Sequence, residues 1–575
     1  MIRIRTSSGL SGRYSSMPVM APSKTIMAIK PTKALSMKKI IIYTGLIAGL
    51  IASLVISGCK EQIDPVVEEL DFSRAFSPVG IEAVISNTTT VTLTWSSVKN
   101  TDHYIVEIYD GATASATLVH SAEVPATEES QVSYTYVLPA GDTQFYGRIK
   151  AVSSLQGIDE SKWSLVTFKT DPENLFQGYD TYMSAMNACI VQWEPGATAT
   201  SLLFVNGGTQ LPFTLSAEDL ALGGRQVTGL PNGIYEVRLM NGTFVRGHTS
   251  VIIEGDVLVE PGGDLKAALD ALPAGGVILL VNGTSYPLSD IDTVRSSTKV
   301  RGILPGDLPE IFLVSGAESR YHMFDIGTSM TLSDSLVFEN VEISCALDDG
   351  ETKLRGVIDQ ESDAFVIGAI RFRNCIIRNS GRSAIRLRGN AAGQVINSVE
   401  FLNCVMYDFA FDSHYGVLNG ALTGNFINIR FINTTVYNIR GGIINYGNGA
   451  GCESVVVDNC TFNETTMDTG SSRYFIDFGT GSNTSTGTIT ISDCIFGQTV
   501  DRANGVRPGS MTLTVSGSYY TTDFFDGTTA PIKQLMTAYS GASTNLWTDP
   551  VGGDFTFLDS NFEGLPSAGA PRWKD

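Results

Sequence analysis

A six-residue phrase that recurs through the second half of the chain constrains its fold more than any other feature. Apolar residues alternate with variable ones and lead into Asn or Asp, which is usually followed by Cys. The phrase occurs as IRFRNC (370–375), VEFLNC (399–404), IRFINT (429–434), VVVDNC (455–460) and ITISDC (489–494). A strand-like unit that returns at irregular intervals is typical of a solenoid in which each repeat forms one coil.

The repeats align on the Asn. The aligned positions are Asn340, Asn374, Asn403, Asn433, Asn459, Asp493 and Gly517, which lie 24–34 residues apart. Because side chains alternate along a strand, one column faces the core, and we predict an inward stack of Phe338, Phe372, Phe401, Phe431 and Val457. The Asn side chains are predicted to bond to one another at a turn, since Asn tolerates the left-handed conformation.

The residue after each Asn defines a further column. Its members are Val341, Cys375, Cys404, Thr434, Cys460 and Cys494. Neighbouring coils lie about 4.8 Å apart, so the pairs Cys375–Cys404 and Cys460–Cys494 are close enough for disulfides. We favour a stack of packed, reduced thiols, because the column also holds apolar and hydroxyl residues. The cysteine spacing contains no CxxC pair and predicts no metal site.

A second strand is predicted in each coil, and a basic residue precedes its centre by three positions. The column consists of Arg355, Arg382, His414, Arg440 and Arg473, and Arg502 could continue it. One interpretation is a positive stripe that holds a uronic-acid polysaccharide, since guanidinium groups match carboxylates. The other is an arginine ladder paired with loop carboxylates such as Asp359, Asp408, Asp412 and Asp477. The residues alone leave both open.

The first half of the chain has a different pattern. Short alternating strands at intervals of 8–12 residues predict a β-sandwich over 77–171 and a second, less complete one over 172–254. Trp95, the strand that starts at Tyr104 and the context of Tyr235 resemble those of fibronectin type III domains. Phe145 departs from the resemblance, because it stands where that family has its corner tyrosine. These units are predicted to be spacers, with glycan or protein binding as the alternative.

Residues 1–58 have the features of a targeting segment. Met37-Lys38-Lys39 precedes an apolar run that ends in Ile56-Ser57-Gly58-Cys59. This resembles a bacterial lipoprotein signal, in which Cys59 is acylated, and residues 1–36 suggest an over-called start. A transmembrane helix is the alternative. Residues 59–76 are then a lipid-anchored tether. Without residues 1–58 the chain has 31 Lys and Arg against 59 Asp and Glu, a net charge of −28, which argues against nucleic acid as a partner.

The remaining segments complete an all-β fold class. GDLKAALDALPAGG (263–276) predicts a short amphipathic helix that covers the first coil of a parallel β-helix spanning 255–523. Residues 524–575 are predicted to be a C-terminal capping segment. The helix, the repeats and the closing DPVGGDFTF and PRW text resemble the pectate-lyase-like, right-handed β-helix lipoproteins of Bacteroidota polysaccharide-utilisation systems. The resemblance implies an outer-membrane, cell-surface protein, either a monomer or part of a glycan-uptake complex.

Two reactions on polysaccharide fit such a fold. A lyase that acts by β-elimination needs a cation for the uronate carboxylate and a base, and the coils offer Arg386, Arg388, His414 and Tyr446. A hydrolase needs two carboxyl groups about 5–10 Å apart. Asp359 and Asp477 lie four coils apart, roughly 19 Å at the usual strand spacing, and therefore do not form such a pair.

The sequence indicates no metal or cofactor. A calcium-assisted lyase would need clustered carboxylates, and the nearest case, DDGE (348–351), indicates a solvated loop. We therefore expect a surface lipoprotein that binds an acidic polysaccharide along its β-helix, through Arg355, Arg382, Arg440 and Arg473. A polysaccharide lyase is the first alternative, and a non-catalytic adhesin or structural spacer is the second.

Overall fold

The computed structural model describes most of the chain after residue 72. The described residues are 73–111, 117–316, 321–360, 363–388, 393–409, 415–420, 424–446, 451–479 and 483–574. The expected signal segment, Cys59, Asp412 and His414 lie outside them. All the strands and helices of the described residues belong to the compact unit Ala75–Asp575. In the described part of the chain, no helix is long and apolar enough to cross a membrane.

The first domain is an antiparallel sandwich of seven strands. They are β1 (Glu82–Ser86), β2 (Thr90–Ser96), β3 (His103–Asp110), β4 (Leu118–Pro125), β5 (Gln131–Val137), β6 (Gln144–Val152) and β7 (Ser164–Lys169). The two sheets have the orders β1-β2-β5 and β4-β3-β6-β7. Alternation in β2 places Val91, Leu93 and Trp95 in the core, where the Trp95 ring lies edge-on to Tyr104 at 5.2 Å.

The second domain repeats this topology. Its elements are β8 (Thr181–Ala185), β9 (Ala188–Gln192), β10 (Ser201–Asn206), β11 (Thr209–Thr214), α1 (Ala217–Leu222), β12 (Gly224–Thr228), β13 (Gly233–Asn241) and β14 (Phe244–Ile253). Its sheets have the orders β12-β9-β8 and β11-β10-β13-β14. Counted along the chain, these are the strand orders of the first domain. The second sandwich, expected to be less complete, therefore has all seven strands, with α1 inserted between the fourth and the fifth.

The two sandwiches differ at the corner position. The Tyr235 hydroxyl donates a hydrogen bond to the carbonyl oxygen of Pro231, four residues earlier, at 2.9 Å. Phe145 cannot make this bond, and its buried ring instead lies 6.0 Å from Phe168 and 6.2 Å from Phe244 of the second sandwich. Aromatic packing thus replaces the missing hydrogen bond in the first sandwich.

The C-terminal half consists of three long parallel sheets. Sheet 1 contains Val257–Val259, Val277–Leu280, Thr298–Gly302, Ser335–Glu339, Phe365–Ile367, Ala369–Arg373, Gln394–Leu402, Asn425–Ile432, Ser454–Asp458, Thr488–Ser492 and Thr512–Ser516. Sheet 2 contains Ser285–Leu288, Glu310–Leu313, Glu342–Ser344, Ile376–Ser380, Val405–Phe409, Thr435–Ile439, Thr461–Asn463, Ile495–Phe496, Tyr519–Tyr520 and Thr537–Ala538. Sheet 3 contains Asp292–Val294, His322–Ile326, Gly356–Gln360, Ile385–Leu387, Leu418–Asn419, Ile444–Asn445, Tyr474–Asp477 and Asn504–Arg507.

The two strands predicted in each coil are both present, but a third strand was not predicted. The Asn phrase forms sheet 1, and the predicted second strand is sheet 3. The strand between them, sheet 2, starts directly after the Asn turn, as in Ile376–Ser380 after Asn374. A single residue with positive φ makes this turn. The sequence therefore lacks the cluster of Gly and Pro residues that usually indicates a turn between two strands. The all-β fold class is as predicted, and the long parallel sheets are consistent with a right-handed β-helix.

The inward aromatic stack is present as predicted. Phe338, Phe372 and Phe401 are fully buried, and successive rings in the series lie 5.3 and 5.1 Å apart with interplanar angles of 11° and 5°. Phe431 continues the stack at 4.9 Å from Phe401. Helix α2 (Leu265–Ala271) starts at an Asp264 cap and buries Leu265 and Leu269 in the same core. The expected short amphipathic helix is thus confirmed.

The left-handed Asn turns recur in each coil as predicted, and among the described residues the side-chain ladder links Asn340, Asn374 and Asn403. The aligned Asn and Asp residues all have φ between 49° and 55°, and Gly517 has 59°. Asn374 donates its side-chain amide to Asn340 Oδ1 at 3.0 Å, and Asn403 donates to Asn374 Oδ1 at 3.1 Å. The ladder pairs the hydrogen-bonding groups of the Asn side chains with one another. It does so at a turn with positive φ, a backbone conformation that is unfavourable for most residues other than Asn and Gly.

The thiol column is packed and reduced. Cys375, Cys404, Cys460 and Cys494 are free and buried. Each Sγ–H donates to the carbonyl oxygen of a core residue one coil earlier, as from Cys404 to Phe372 at 3.3 Å. Thr434, in the same column, makes the equivalent bond to Phe401 at 3.2 Å. These positions therefore favour a small side chain that can donate one hydrogen bond inside an apolar core.

The C-terminal segment does more than close the last coil. After Thr537–Ala538 extends sheet 2, α3 (Ser543–Leu546) and the antiparallel pair Trp547–Asp549 and Asp554–Phe557 pack on the outer side of that sheet. The chain then runs back across earlier coils, and the final short 3₁₀ turn is Pro571–Trp573. Trp573 Nε1 donates to Thr435 Oγ1 at 2.8 Å, and Arg572 donates to the Asn403 carbonyl at 3.0 Å.

Candidate functional site

The outer face of sheet 3 carries a continuous column of polar residues. Its strands place an apolar residue in the core, and the next residue then points outward. We call these outward residues the outer column: Asp359, Arg386, Asn419, Asn445, Asp477 and Arg507, which pair in register from coil to coil. Six coils thus present acid, base, amide, amide, acid and base in order along one line.

Buried charges occupy the first two positions of the outer column. The Asp359 side chain is completely buried and forms ion pairs with Arg386 and Arg388. Arg386 is 10% exposed, and its guanidinium lies 4.3 Å from the centre of the Tyr415 ring. Burial lowers the pKa of Arg386, although the charge of Asp359 acts in the opposite direction. Arg386 Nε and Nη1 have no hydrogen-bond partner in the described part of the chain.

The other end of the outer column is an ion pair beside a small pocket. Arg507 bonds both carboxylate oxygens of Asp477, at 2.8 and 2.6 Å, and its guanidinium lies 4.2 Å from the centre of the Tyr474 ring. The bonds to Asp477 raise the pKa of Arg507. The adjacent pocket has a volume of about 130 Å³ and is also lined by Asn445 and Arg473.

The four predicted substrate-binding arginines lie in the turns that lead into sheet 3, in two different environments. Arg355 and Arg382 each lie over a tyrosine ring, 3.8 Å from the centre of Tyr321 and 5.5 Å from that of Tyr415. Arg440 and Arg473 share a carboxylate, Asp468, at 3.4 and 2.8 Å. Among the described residues, Arg355 and Arg382 form no ion pair.

Asp468, the carboxylate that Arg440 and Arg473 share, has a lowered pKa. Burial alone would raise the pKa of Asp468, but the hydrogen bond from Arg473 and the charge of Arg440 hold it below its usual range.

The loop carboxylates named in the ladder interpretation have other partners. Asp359 pairs with Arg386 and Arg388 instead of a turn arginine, and Asp477 pairs with Arg507. Asp408 accepts a hydrogen bond from Asn438 at 2.5 Å. The ladder is real for Arg440 and Arg473, and its partner is a residue that sequence inspection missed.

The structure brings together two of the four predicted catalytic residues. Arg386 and Arg388 both contact Asp359. Tyr446 is fully buried, and its hydroxyl accepts a hydrogen bond from the Phe426 backbone N–H at 3.0 Å, so it is part of the core. His414 lies outside the described residues.

A further histidine, His322, lies on sheet 3 outside the residues that the sequence singled out. His322 starts a sheet 3 strand one coil before the first Asn phrase and bonds Asp325 at 2.8 Å. Both residues line a pocket of about 520 Å³ on the outer side of the sheet. They were missed because alignment on the Asn starts at Asn340, after this coil. An alternating HMFDI strand was the available signal.

Metal ligation has little support in the described residues. They contain no group of three or more His, Cys, Asp or Glu side chains placed to hold a metal ion. In the DDGE turn, Asp349 accepts hydrogen bonds from the backbone N–H groups of Glu351 and Thr352, and Asp348 accepts one from that of Ser315. These carboxylates therefore stabilise loops.

Comparisons with known proteins give one family match and several structural ones. Residues 455–573 match the model of a family described as a domain of unknown function (DUF5123). No curated protein matches the chain. A segment of two fibronectin type III domains from chicken tenascin is 18% identical, with a TM-score of 0.18, and covers 30% of this chain and 97% of its own.

Two further solved structures are similar to parts of the chain. One, titled FN3tt mut, is 24% identical, with a TM-score of 0.13, and covers 17% of this chain and 98% of its own. The FN1–FN3 domains of chicken CNTN1 are 15% identical, with a TM-score of 0.16, and cover 32% of this chain and 70% of their own. The family match, in contrast, falls on the final coils of the β-helix and the C-terminal segment.

Proposed function

We propose that the chain binds an anionic polysaccharide along the outer face of sheet 3. The observation that carries this proposal is an excess of arginine over paired carboxylate. The arginines described above at or beside this sheet are Arg355, Arg382, Arg386, Arg388, Arg440, Arg473 and Arg507. Among the described residues, three aspartates form ion pairs with the last five of these seven. This local excess stands out in a chain with a formal net charge of −20.

The geometry of the two unpaired arginines supports the same ligand. Tyr321 and Tyr415 hold Arg355 and Arg382 by cation–π contact, which leaves the N–H groups at the guanidinium edge available for hydrogen bonds. A carboxylate or sulfate accepts two such bonds from one guanidinium. Coils repeat at about 4.8 Å, close to the length of one sugar residue, so a stretched polymer can follow the line of coils.

Affinity electrophoresis tests the proposal directly. The full chain is run through gels that contain polygalacturonate, alginate or chondroitin sulfate, with dextran as the neutral control. We expect retardation by at least one acidic polymer, and the double variant Arg355→Glu, Arg382→Glu should lose it. Retardation should weaken with added salt, because the Debye length falls from about 10 Å at 0.1 M to about 3 Å at 1 M.

A matched charge reversal controls for net charge. Lys99 and Lys162 are exposed residues of the first sandwich. The double variant Lys99→Glu, Lys162→Glu changes the net charge equally and should bind as the parent does. If both double variants lose retardation alike, or if no acidic polymer retards the parent at low salt, the proposal is wrong. The structural spacer is then the better interpretation.

Lyase activity is the second candidate, favoured by the state of Arg386. Abstraction of the proton next to a uronate carboxyl needs a base, and burial lowers the pKa of this guanidinium, although the charge of Asp359 acts in the opposite direction. Two of its nitrogens also lack partners among the described residues. A lyase would release unsaturated uronate, seen as rising absorbance near 235 nm, and Arg386→Gln should abolish the rise. Retardation without absorbance identifies a binding protein.

We also propose an outer-membrane location, which rests on the sequence of the targeting segment. Acylation of Cys59 would anchor the chain in the outer membrane, with the β-helix at the cell surface. Expression in a bacterium with labelled palmitate should give a labelled, membrane-associated product, and Cys59→Ser should release the chain from the membrane fraction. A Cys59→Ser variant that stays in the membrane would contradict lipid anchoring.

A further inference from the structure

A pocket near the first coils of sheet 3 has no part in the proposed function. It has a volume of about 520 Å³, within the usual range for small-molecule sites. His322, Asp325, Thr328, Ser329, Asp363 and Arg295 are among its lining residues. Two of its lining residues, Gln360 and Asp363, belong to the coil that contains Arg355, but none of the seven arginines that carry the proposed function lines it.

A buried histidine with an unusual bonding state lies in the pocket wall. His322 is 7% exposed, and its Nε2 lies 2.8 Å from Asp325 Oδ1. Its Nδ1 is buried and has no hydrogen-bond partner among the described residues. A proton on Nδ1 would be buried without an acceptor, which is costly. The proton therefore lies on Nε2 and is donated to Asp325.

This arrangement directs Asp325 at the pocket. One carboxylate oxygen is held by His322, and the side chain remains 34% exposed. In the described part of the chain, the other oxygen has no hydrogen-bond donor. This second carboxylate oxygen of Asp325 can therefore accept a hydrogen bond from a ligand, and no existing hydrogen bond has to be broken first. His322 is thus a positioning residue, and Asp325 is the contact residue.

The other residues that line the pocket indicate which class of ligand it can bind. Gln360 is fixed, because its amide bonds the Ile326 N–H at 2.9 Å and the Ile326 carbonyl at 3.3 Å. Two carboxylates, Asp325 and Asp363, oppose a single arginine, Arg295, so an anion is disfavoured. The described residues offer no set of three metal-binding side chains, so a cation is not favoured either. Hydroxyl and carboxylate groups on one wall match the hydroxyl groups of a neutral sugar.

We infer that this pocket is a second ligand site, which takes a neutral hexopyranoside ring through hydrogen bonds from the sugar hydroxyls to Asp325. The choice of a sugar rests on the proposed function, but the site uses none of the arginines that carry it. A polymer that binds along sheet 3 would place a neutral residue, such as a branch or an end group, in this pocket.

Ligand-observed NMR tests the inference without knowledge of the natural glycan. The probe is a mixture of the methyl glycosides of glucose, galactose, mannose and N-acetylglucosamine, added to the full chain at millimolar concentration. We expect saturation transfer to at least one glycoside and about a tenfold weaker affinity in Asp325→Ala, because a hydrogen bond to a charged group is lost. The matched control is Asp307→Asn, an exposed aspartate outside the pocket, which should bind normally.

Variants of His322 separate positioning from folding. His322→Gln can still donate to Asp325 and should retain more affinity than His322→Leu, while both keep the parent's circular dichroism spectrum. If no glycoside gives a signal, or if the signal survives Asp325→Ala, the pocket is not this site. Both results are independent of the acidic-polymer gels, since Arg355→Glu, Arg382→Glu should leave glycoside binding unchanged.

Discussion

Arg386 Nη1 lies 3.7 Å from Asp359 Oδ2 across two neighbouring coils of sheet 3, and neither atom has a hydrogen-bond partner among the described residues. Both side chains are at least nine-tenths buried, so the pair is held by charge alone at that contact. A buried pair of this kind contributes little net stability, yet it is costly to break. The outer column therefore holds buried polar atoms without a hydrogen-bond partner among the described residues, which is rare in folded proteins.

Removal of the Asp359 carboxylate should destabilise the β-helix strongly. Asp359→Asn leaves Arg386 and Arg388 buried without their shared counter-charge. We expect the free energy of unfolding to fall by about 3–5 kcal/mol, measured by urea denaturation and calorimetry. Asp501→Asn, at an exposed position of the same domain, is the control. An unchanged melting temperature would show that the arginines are solvated in solution.

The Asn ladder should contribute through both its backbone and its side chains. Asn374→Ala loses the bonds to Asn340 and Asn403 and also strains a residue with φ of 54°. We expect about 1–2 kcal/mol of destabilisation from the backbone and about 1 kcal/mol from the hydrogen bonds. Asn374→Gly tolerates the positive φ and should show mainly the second loss. Equal destabilisation in the two variants would mean that the left-handed turn is not strained.

The buried thiols should be unreactive in the folded protein. Burial raises the pKa of Cys189, Cys345 and Cys452 to about 12, and that of Cys375 and Cys494 well above the usual value. At pH 8, a thiol reagent should label none of the seven cysteines from Cys189 to Cys494 until guanidinium is added. Rapid labelling of the native protein at more than trace level would contradict this packing.

The same pKa shifts set the direction of the pH dependence. The folded state favours protonated thiols, so this stabilisation is fully present below the unfolded-state pKa of about 8.5. It is lost as the pH rises through the folded values near 12. We expect the melting temperature to fall on this alkaline limb, and that of a Cys345→Ser, Cys452→Ser variant to fall less steeply. A flat alkaline limb in the parent would exclude the effect.

The C-terminal turn should stabilise coils that are far away in sequence. Trp573 donates to Thr435 and lies 5.6 Å from the Phe555 ring. Trp573→Ala should lower stability by about 3 kcal/mol at most, since the side chain is only partly buried. Trp573→Phe keeps the ring contact and loses only the hydrogen bond, so it should retain most of the stability. If both variants unfold like the parent, the returning segment does not support the coils.

Much of the β-helix core could be predicted because its determinants are local. The stack of Phe338, Phe372 and Phe401 follows from side-chain alternation along one strand and from equal register in successive copies. The Asn ladder follows from the tolerance of one residue type for positive φ. Sheet 2 could not be found in the same way, because the turn that separates it from sheet 1 is a single residue and its strands are as short as Ile495–Phe496.

The candidate site was only partly predictable. Alignment placed Arg355, Arg382, Arg440 and Arg473 in one column, and the structure places all four beside sheet 3. Their partners did not follow from the alignment, because Asp468 lies in a connection between sheets 2 and 3 whose length differs from coil to coil. Tyr446 shows the opposite failure: it follows the strand Ile444–Asn445 and has a polar hydroxyl, but its ring packs against Phe426 and Phe478.

The amino-acid sequence alone predicts the repeat, its register, the inward column and the left-handed turns. Each depends only on the periodicity of a strand or on the conformational preference of one residue. The tertiary structure alone decided which arginines are neutralised, how His322 directs Asp325 and where the C-terminal segment returns. Those relationships depend on loops of unequal length bringing charged atoms within a few ångströms of one another. No periodic pattern encodes that distance, although the Coulomb energy changes steeply with it.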